Sequence, residues 1–134
     1  MKGNNYAALK AYTDVQTKVA VETADQHTLV SMLFTGIIDS LILMEKTFET
    51  HDLKVRSEKL TKSQQILFAL RSTLDHARGG EIARLLDSLY DYCIRQLVRA
   101  HASSDVEPVH EVLGLIRQIG EAWDSMPIEA YKPT

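Results

Sequence analysis

All three prolines of this chain, Pro108, Pro127 and Pro133, stand beyond residue 107. Proline removes a backbone donor and clashes with the preceding turn, so it is the strongest local stop a helix can meet. Without it, an apolar pattern of helical period runs from residue 24 to residue 124, interrupted only at a few turn-like clusters. That pattern predicts a chain that is nearly all helix.

The first helix has a start signal at Thr23-Ala24-Asp25-Gln26, where the threonine oxygen can accept from the third amide and Gln26 can reach back. Leu29, Leu33, Ile37, Leu41, Met44 and Phe48 then form one row, with Val30, Phe34, Ile38 and Ile42 beside it. A helix apolar nearly all round must be packed on several sides, which predicts the central element of a bundle. Glu49-Thr50-His51-Asp52 makes the first turn, with Asp52 as cap, and Leu53, Leu60, Leu67, Leu70 and Leu74 stripe a second helix. Val55, Ile66 and Phe68 lie off that stripe. Gly79-Gly80 is expected to end this hairpin by supplying positive φ.

In the third helix Ile82, Leu86, Leu89, Cys93 and Leu97 make a core seam, while Leu85, Tyr90, Tyr92, Ile94 and Val98 widen the apolar arc. Ser103-Ser104-Asp105 breaks the pattern, and Pro108 fits the first turn of a last helix striped by Val109, Val112, Leu113, Ile116, Ile119 and Trp123. Loops this short imply antiparallel neighbours. The expected fold is all-α: an antiparallel four-helix bundle over residues 23–125, with an N-terminal arm or short helix (1–22) packed on it and a loose tail (126–134). Tyr6, Leu9, Tyr12, Val15 and Val19 give the arm a thin apolar stripe, too weak to hold a free-standing helix.

A length of 134 residues with 45% hydrophobic composition suits one domain that needs no disulfide or metal to support its core, and Cys93 has no internal partner in any case. The net charge of −3 offers no cationic field, so nucleic acid is excluded as the expected partner. Met1-Lys2-Gly3-Asn4-Asn5-Tyr6 has no apolar core behind it, and uninterrupted apolar runs such as Leu41 to Met44 are short for a bilayer. A cytoplasmic protein without direct membrane insertion is expected.

The residues offer no chemistry. A di-iron bundle needs two Glu-x-x-His motifs plus two further glutamates, whereas Glu107-Pro108-Val109-His110 stands alone. His27, His51, His76, His101 and His110 are scattered near helix ends. Cys93 falls on the core seam rather than in an electropositive pocket, and no Gly-Lys-Ser/Thr follows Gly79-Gly80. Asp87 and Asp91 with Arg84 and Arg95 read as a solvated, salt-bridged face. No catalytic, cofactor-binding or metal-binding residue is expected, and the chain is not read as an enzyme.

What remains is apolar surface in excess of what one bundle requires, on the first helix, on the Tyr90, Ile94 and Val98 flank, at Val55 and Ile66, and on the arm. Periodicity leaves two accounts open. The helices and arm cover one another, or they form a groove for a partner's amphipathic helix, which the arm covers until it is displaced. Helical geometry puts Ile66, Tyr90, Ile94, Leu97 and Val98 on that groove.

Gly79-Gly80-Glu81-Ile82-Ala83, followed by Leu85-Leu86 and Leu89-Tyr90-Asp91-Tyr92, resembles the signature of the flagellar secretion chaperone FliS family. Lys10-Ala11-Tyr12 resembles that family's N-terminal Ala-Tyr element. Thr23-Ala24-Asp25 with Met32-Leu33-Phe34-Thr35-Gly36 resembles its first-helix entry, and Glu121-Ala122-Trp123 the close of its last helix. The resemblance implies a cytosolic, ATP-independent export chaperone. Such a protein binds the C-terminal segment of flagellin, prevents premature polymerisation and presents the subunit to the type III export gate through its component FlhA.

On this reading Leu9 and Tyr12 resemble the family's N-terminal apolar pair, with Tyr6 and Val15 beside them as further arm contacts. A disordered tail folding along apolar grooves predicts mostly hydrophobic affinity that salt weakens little. Gly36 and Gly120 are read as close-packing positions. The alternative is a regulatory or structural bundle that pairs through the same flank as a homodimer, without a flagellin client.

Overall fold

The computed structural model of the chain describes residues 26–126, which fall into four helices: α1 (Gln26–Thr50), α2 (Leu53–Ser72), α3 (His76–Ser103) and α4 (Glu107–Ser125). Short-range chemistry sets their ends. Asp52 Oδ1 accepts from the amide of Val55 at 3.1 Å and Asp75 Oδ1 from that of Arg78 at 3.1 Å, each satisfying a donor that the first turn leaves orphaned. Asp105 Oδ1 accepts from the amide of Glu107 at 3.0 Å, and Pro108 follows where its missing N–H costs nothing. His51 (φ 56°) and Ser104 (φ 50°) reverse the chain in the left-handed region, at about 1 kcal/mol each for residues with a Cβ.

The second turn departs from expectation. α2 stops at Ser72, leaving Leu74 in the connection, and Asp75 starts α3 four residues before the glycine pair. The glycines therefore bend a helix instead of ending one: Gly80, at φ 52° and ψ −120°, kinks α3 near its start. The aspartate cap is the stronger local signal, and the glycines lie downstream of it.

α1 packs on α2 and α4, α3 packs on the same two, and α1 lies diagonal to α3. This is the four-helix bundle expected, with neighbours antiparallel: Gln26 reaches the carbonyl of Thr73, Ser40 meets Ser63, and Arg56 meets Thr47. The core runs through Leu33, Ile37, Leu41 and Met44 of α1, Leu67 and Leu70 of α2, Cys93 and Leu97 of α3, and Val109, Val112 and Ile116 of α4, all fully buried. Each such side chain contributes about 1.5–3 kcal/mol.

α1 is thus a corner helix and not a central one. Val30 and Phe34 of its second row are buried, while Ile42 and Leu43 face outward. Contrary to the reading of short apolar runs, Gln26–Thr50 is long and apolar enough by length and composition to cross a membrane, with a hydropathy of 1.6 over its most apolar stretch. Burial of eight of its residues in the bundle accounts for that composition equally well.

Two polar rungs cross the α1–α2 seam. Ser40 Oγ and Ser63 Oγ lie 2.8 Å apart and buried. Arg56, 2% exposed, donates from Nε to Thr47 Oγ1 at 3.3 Å and from Nη2 to the Thr47 carbonyl at 3.0 Å, with its guanidinium 3.8 Å above the Phe48 ring. At the other end of the bundle Trp123 Nε1 donates to the His27 carbonyl at 3.0 Å, His27 Nε2 lies 3.0 Å from the Trp123 carbonyl, and the rings stack at 5.2 Å. A carbonyl can only accept, so Nε2 carries the proton. Gly120 lets α4 approach: a Cβ there would stand 3.4 Å from the Phe34 ring.

Candidate partner-binding surface

The residues expected to line a groove are distributed unequally. Tyr6, Leu9, Tyr12 and Val15, with the rest of the arm, the Thr23 cap and most of the tail, lie outside the described residues. Ile66, Tyr90, Ile94 and Leu97 do come together, but inside the core, at 8% exposure or less. Among the described residues of the predicted set, Val98 alone is exposed, at 45%. Burial raises the Tyr90 phenol and pushes the Cys93 thiol up to about 12, so both stay protonated at neutral pH.

The cause is the phase of α3. Its buried row is Ala83, Tyr90, Cys93, Ile94, Leu97 and Ala100: Cys93 and Leu97 of the expected seam lie in it and Leu86 packs against it, while towards the start of the helix Ala83 and Tyr90 take the places expected of Ile82 and Leu89. Ile82, expected in the seam, is 69% exposed, and Leu85 is 63% exposed. These two stand three residues apart on one face, with half-buried Leu89 and Tyr92 continuing the row. The row borders α4, because the Tyr92 hydroxyl donates to Glu111 Oε1 at 2.8 Å and Gln96 Nε2 donates to the same oxygen at 3.1 Å. Leu115 and Ile119, half-buried, follow one and two turns along α4. An apolar strip thus opens between the start of α3 and the end of α4.

The opposite flank of α3 is electrostatic. Arg71 of α2 holds Asp87 with two bonds, at 2.9 and 3.3 Å, and lies 3.6 Å from Asp91, which also takes Arg95 Nε at 3.1 Å. The hydrogen bond from Arg71 holds the Asp87 carboxyl below its ordinary value. The acidic pair does lie on a partly solvated, salt-bridged face, with Arg95 on Asp91, but its bonds to Arg71 also bridge two helices, and Arg84 turns to Glu81. His110 Nε2 lies 2.9 Å from Glu45 Oε2, so the Glu-x-x-His histidine links α4 to α1. Among the described residues no group of three or more His, Cys, Asp or Glu side chains could hold a metal ion.

A second concavity runs between α1 and α2. It is an open groove of about 360 Å³ with Met32, Gly36, Asp39 and Leu43 along one wall and Lys59 and Lys62 on the other. Sequence reading missed it, because its wall of Thr28, Ser31, Thr35 and Ser40 hydroxyls interrupts the apolar pattern. Gly36, expected at a close packing, lines this groove.

The described residues thus define an all-helical antiparallel bundle with an apolar strip on one side and a groove on another. The family model of the flagellar protein FliS matches residues 8–130. The chain is 38% identical over 125 residues to the flagellar secretion chaperone FliS of Salmonella typhimurium, covering 92% of this chain and 93% of that one. It is 35% identical over 127 residues to the protein of the same name from Vibrio cholerae (95% and 93%), and 32% over 112 residues to that from Bacillus subtilis (84% and 82%). The chain belongs to the FliS family of flagellar secretion chaperones.

Proposed function

We propose that this protein binds the C-terminal segment of flagellin in the cytoplasm, keeps it from polymerising and delivers it to the FlhA component of the export gate, without catalysis. The observation that carries the reading is the row of exposed Ile82 and Leu85 and half-buried Leu89 beside Leu115 and Ile119. Two large side chains left in water on a well-packed helix lose the stabilisation burial gives, and a client helix laid along the strip recovers it. Val98 offers a second exposed contact. Ile66, Tyr90, Ile94 and Leu97 support the surface from within, and reach a client directly only where the bundle opens. Tyr6, Leu9, Tyr12 and Val15 serve as the arm's contacts, in the cap and at the handover to the gate.

The test is a calorimetric titration with a flagellin C-terminal peptide of about 40 residues, where burial of apolar area gives a negative heat-capacity change. The unmutated protein forms a saturable one-to-one complex. Ile82→Asp with Leu85→Asp loses capture while the helical dichroism persists, since both side chains are exposed. A folded protein that binds no peptide refutes the reading, and a mass that rises with concentration in its place supports the homodimer.

A further inference from the structure

The register of the apolar strip between α3 and α4 is set by one acceptor. Tyr92 and Gln96 both donate to Glu111, and the two helices run antiparallel. Ile82, about a dozen residues before that level on α3, therefore stands beside the last turn of α4. Ile82 and Leu85 are mostly in water, and Leu89 lies about 10 Å beyond Ile82 along the same face.

α4 ends at the same level. Met126 is 39% exposed, its amide donates to the Trp123 carbonyl at 3.1 Å, and its φ of −77° and ψ of 136° turn the chain out of the helix. That extended conformation is the one a following proline enforces. The next residues, 127–134, lie beyond the described ones, and their sequence is Pro-Ile-Glu-Ala-Tyr-Lys-Pro-Thr. Prolines at 127 and 133 bias the stretch between them to polyproline II, with about three residues per turn and about 3.1 Å per residue. In that conformation Ile128 and Tyr131 share one side about 9 Å apart, close to the separation of Ile82 and Leu89.

Of the two ends of the chain, the tail starts nearer to the strip. It leaves from α4, one of the strip's own walls, whereas the N-terminal arm joins α1, which is diagonal to α3. Ile128 is two residues past Met126, at most about 7 Å of chain.

We infer that residues 127–132 seat on this strip as an intramolecular cover, with the chain reversing at Pro127, Ile128 against Ile82 and Leu85, and Tyr131 against Leu89 and Leu115. The apolar side chains of both surfaces leave water in that contact. The strip is also the surface assigned above to flagellin, so the tail competes with the client, and this second half of the inference rests on that reading. A client binds only those molecules whose strip is uncovered, and its apparent affinity falls by that fraction.

Disulfide trapping in the full chain tests the cover without any client. Ile128→Cys with Ile82→Cys is oxidised alongside Ile128→Cys with Val98→Cys, since Val98 is exposed on the same helix but about 24 Å further on. Cys93 is buried and stays out of the reaction. The first pair closes within one chain, as a monomer of shifted mobility, about tenfold or more faster than the second. Equal rates overturn the inference, and so do bridges that join two chains only, which assign the strip to another copy. Peptide titration tests the competition. Ile128→Asp with Tyr131→Asp leaves the bundle untouched and binds the flagellin C-terminal peptide about threefold to tenfold more tightly than the intact protein does. Equal affinities overturn the competition even where the bridge forms. Fast closure of the first pair with no peptide binding by either protein supports the seated tail and overturns the flagellin reading.

Discussion

Arg56 is a buried cation with no carboxylate paired to it among the described residues, and its replacement gives the sharpest test of how this bundle holds its first hairpin. Its two bonds go to the Thr47 hydroxyl and carbonyl, in the last turn of α1, where the helix dipole favours positive charge. Hydrogen bonds from a charged donor contribute about 1.5–3 kcal/mol, and truncation also leaves a cavity beneath Phe48. Against this stands the desolvation of the guanidinium, which removal relieves. Arg56→Ala should therefore cost about 3 kcal/mol, the sum of lost bonds and packing less that relief. Arg56→Met keeps most of the volume and relieves the same desolvation, so it should cost about 1 kcal/mol, chiefly the unsatisfied Thr47 carbonyl. Urea unfolding followed by helical dichroism reads the difference: with a slope of about 1.5 kcal/mol/M the alanine variant moves the midpoint down by about 2 M. A shift under about 0.3 M for alanine, or a methionine variant as damaged as the alanine one, would refute the argument that carbonyl capping and packing outweigh desolvation here.

Two glycines of α4 should respond with opposite signs. Gly114 has open space where a Cβ would go, so Gly114→Ala raises stability by about 0.5–1 kcal/mol through helix propensity, whereas Gly120→Leu drives into Phe34 and costs about 2–3 kcal/mol; denaturant midpoints check both. Asp87 has its native pKa lowered by Arg71, so its contribution is fully present above its ordinary value near 3.8 and is lost as pH falls through the lower native one. Asp87→Asn should remove that part of the acid limb of a stability–pH profile and leave the neutral region flat. Cys93, buried with its thiol pushed up to about 12, should react with a disulfide reagent at neutral pH only as fast as the protein opens, and at once in denaturant. Trp123→Phe keeps a ring against His27 but loses the 3.0 Å bond to its carbonyl, at about 1 kcal/mol in unfolding free energy.

The parts of the fold legible in the sequence are those encoded locally. Asp52, Ser104 and Pro108 act within a turn of themselves, and the Val109–Ile116 stripe has one apolar face and no rival phase. The expected seam of α3 holds at Cys93 and Leu97 but not at Ile82, because two apolar rows compete near the start of the helix. A scale of hydrophobicity favours Ile82 and Leu89, while the bundle interior accepts the small Ala83 and the flat Tyr90, a matter of shape that periodicity does not carry. The same limit hid the two rungs at Arg56 and Ser63, polar residues whose burial depends on hydrogen-bond partners supplied by another helix. The exposed strip could have been found from Gly80: a positive-φ residue inside a helix resets which face points inward, and Ile82 follows it by two positions. That the surplus apolar surface belongs to a chaperone was carried by the family motif, not by the pattern.

The contact between α1 and α4 closes a ring. The other three interfaces join helices consecutive in the chain, but the His27–Trp123 pair ties residues 96 positions apart. Closing so long a loop carries the largest entropy cost of any contact in the bundle, and all four helices must be synthesised before it can form. Hairpins α1–α2 and α2–α3 can assemble during synthesis, with the inner face of α1 waiting for α4. Native-state hydrogen exchange should then find the α1–α4 seam opening at lower free energy than the α2–α3 hairpin, so that loosening begins where the two ends of the helical chain meet.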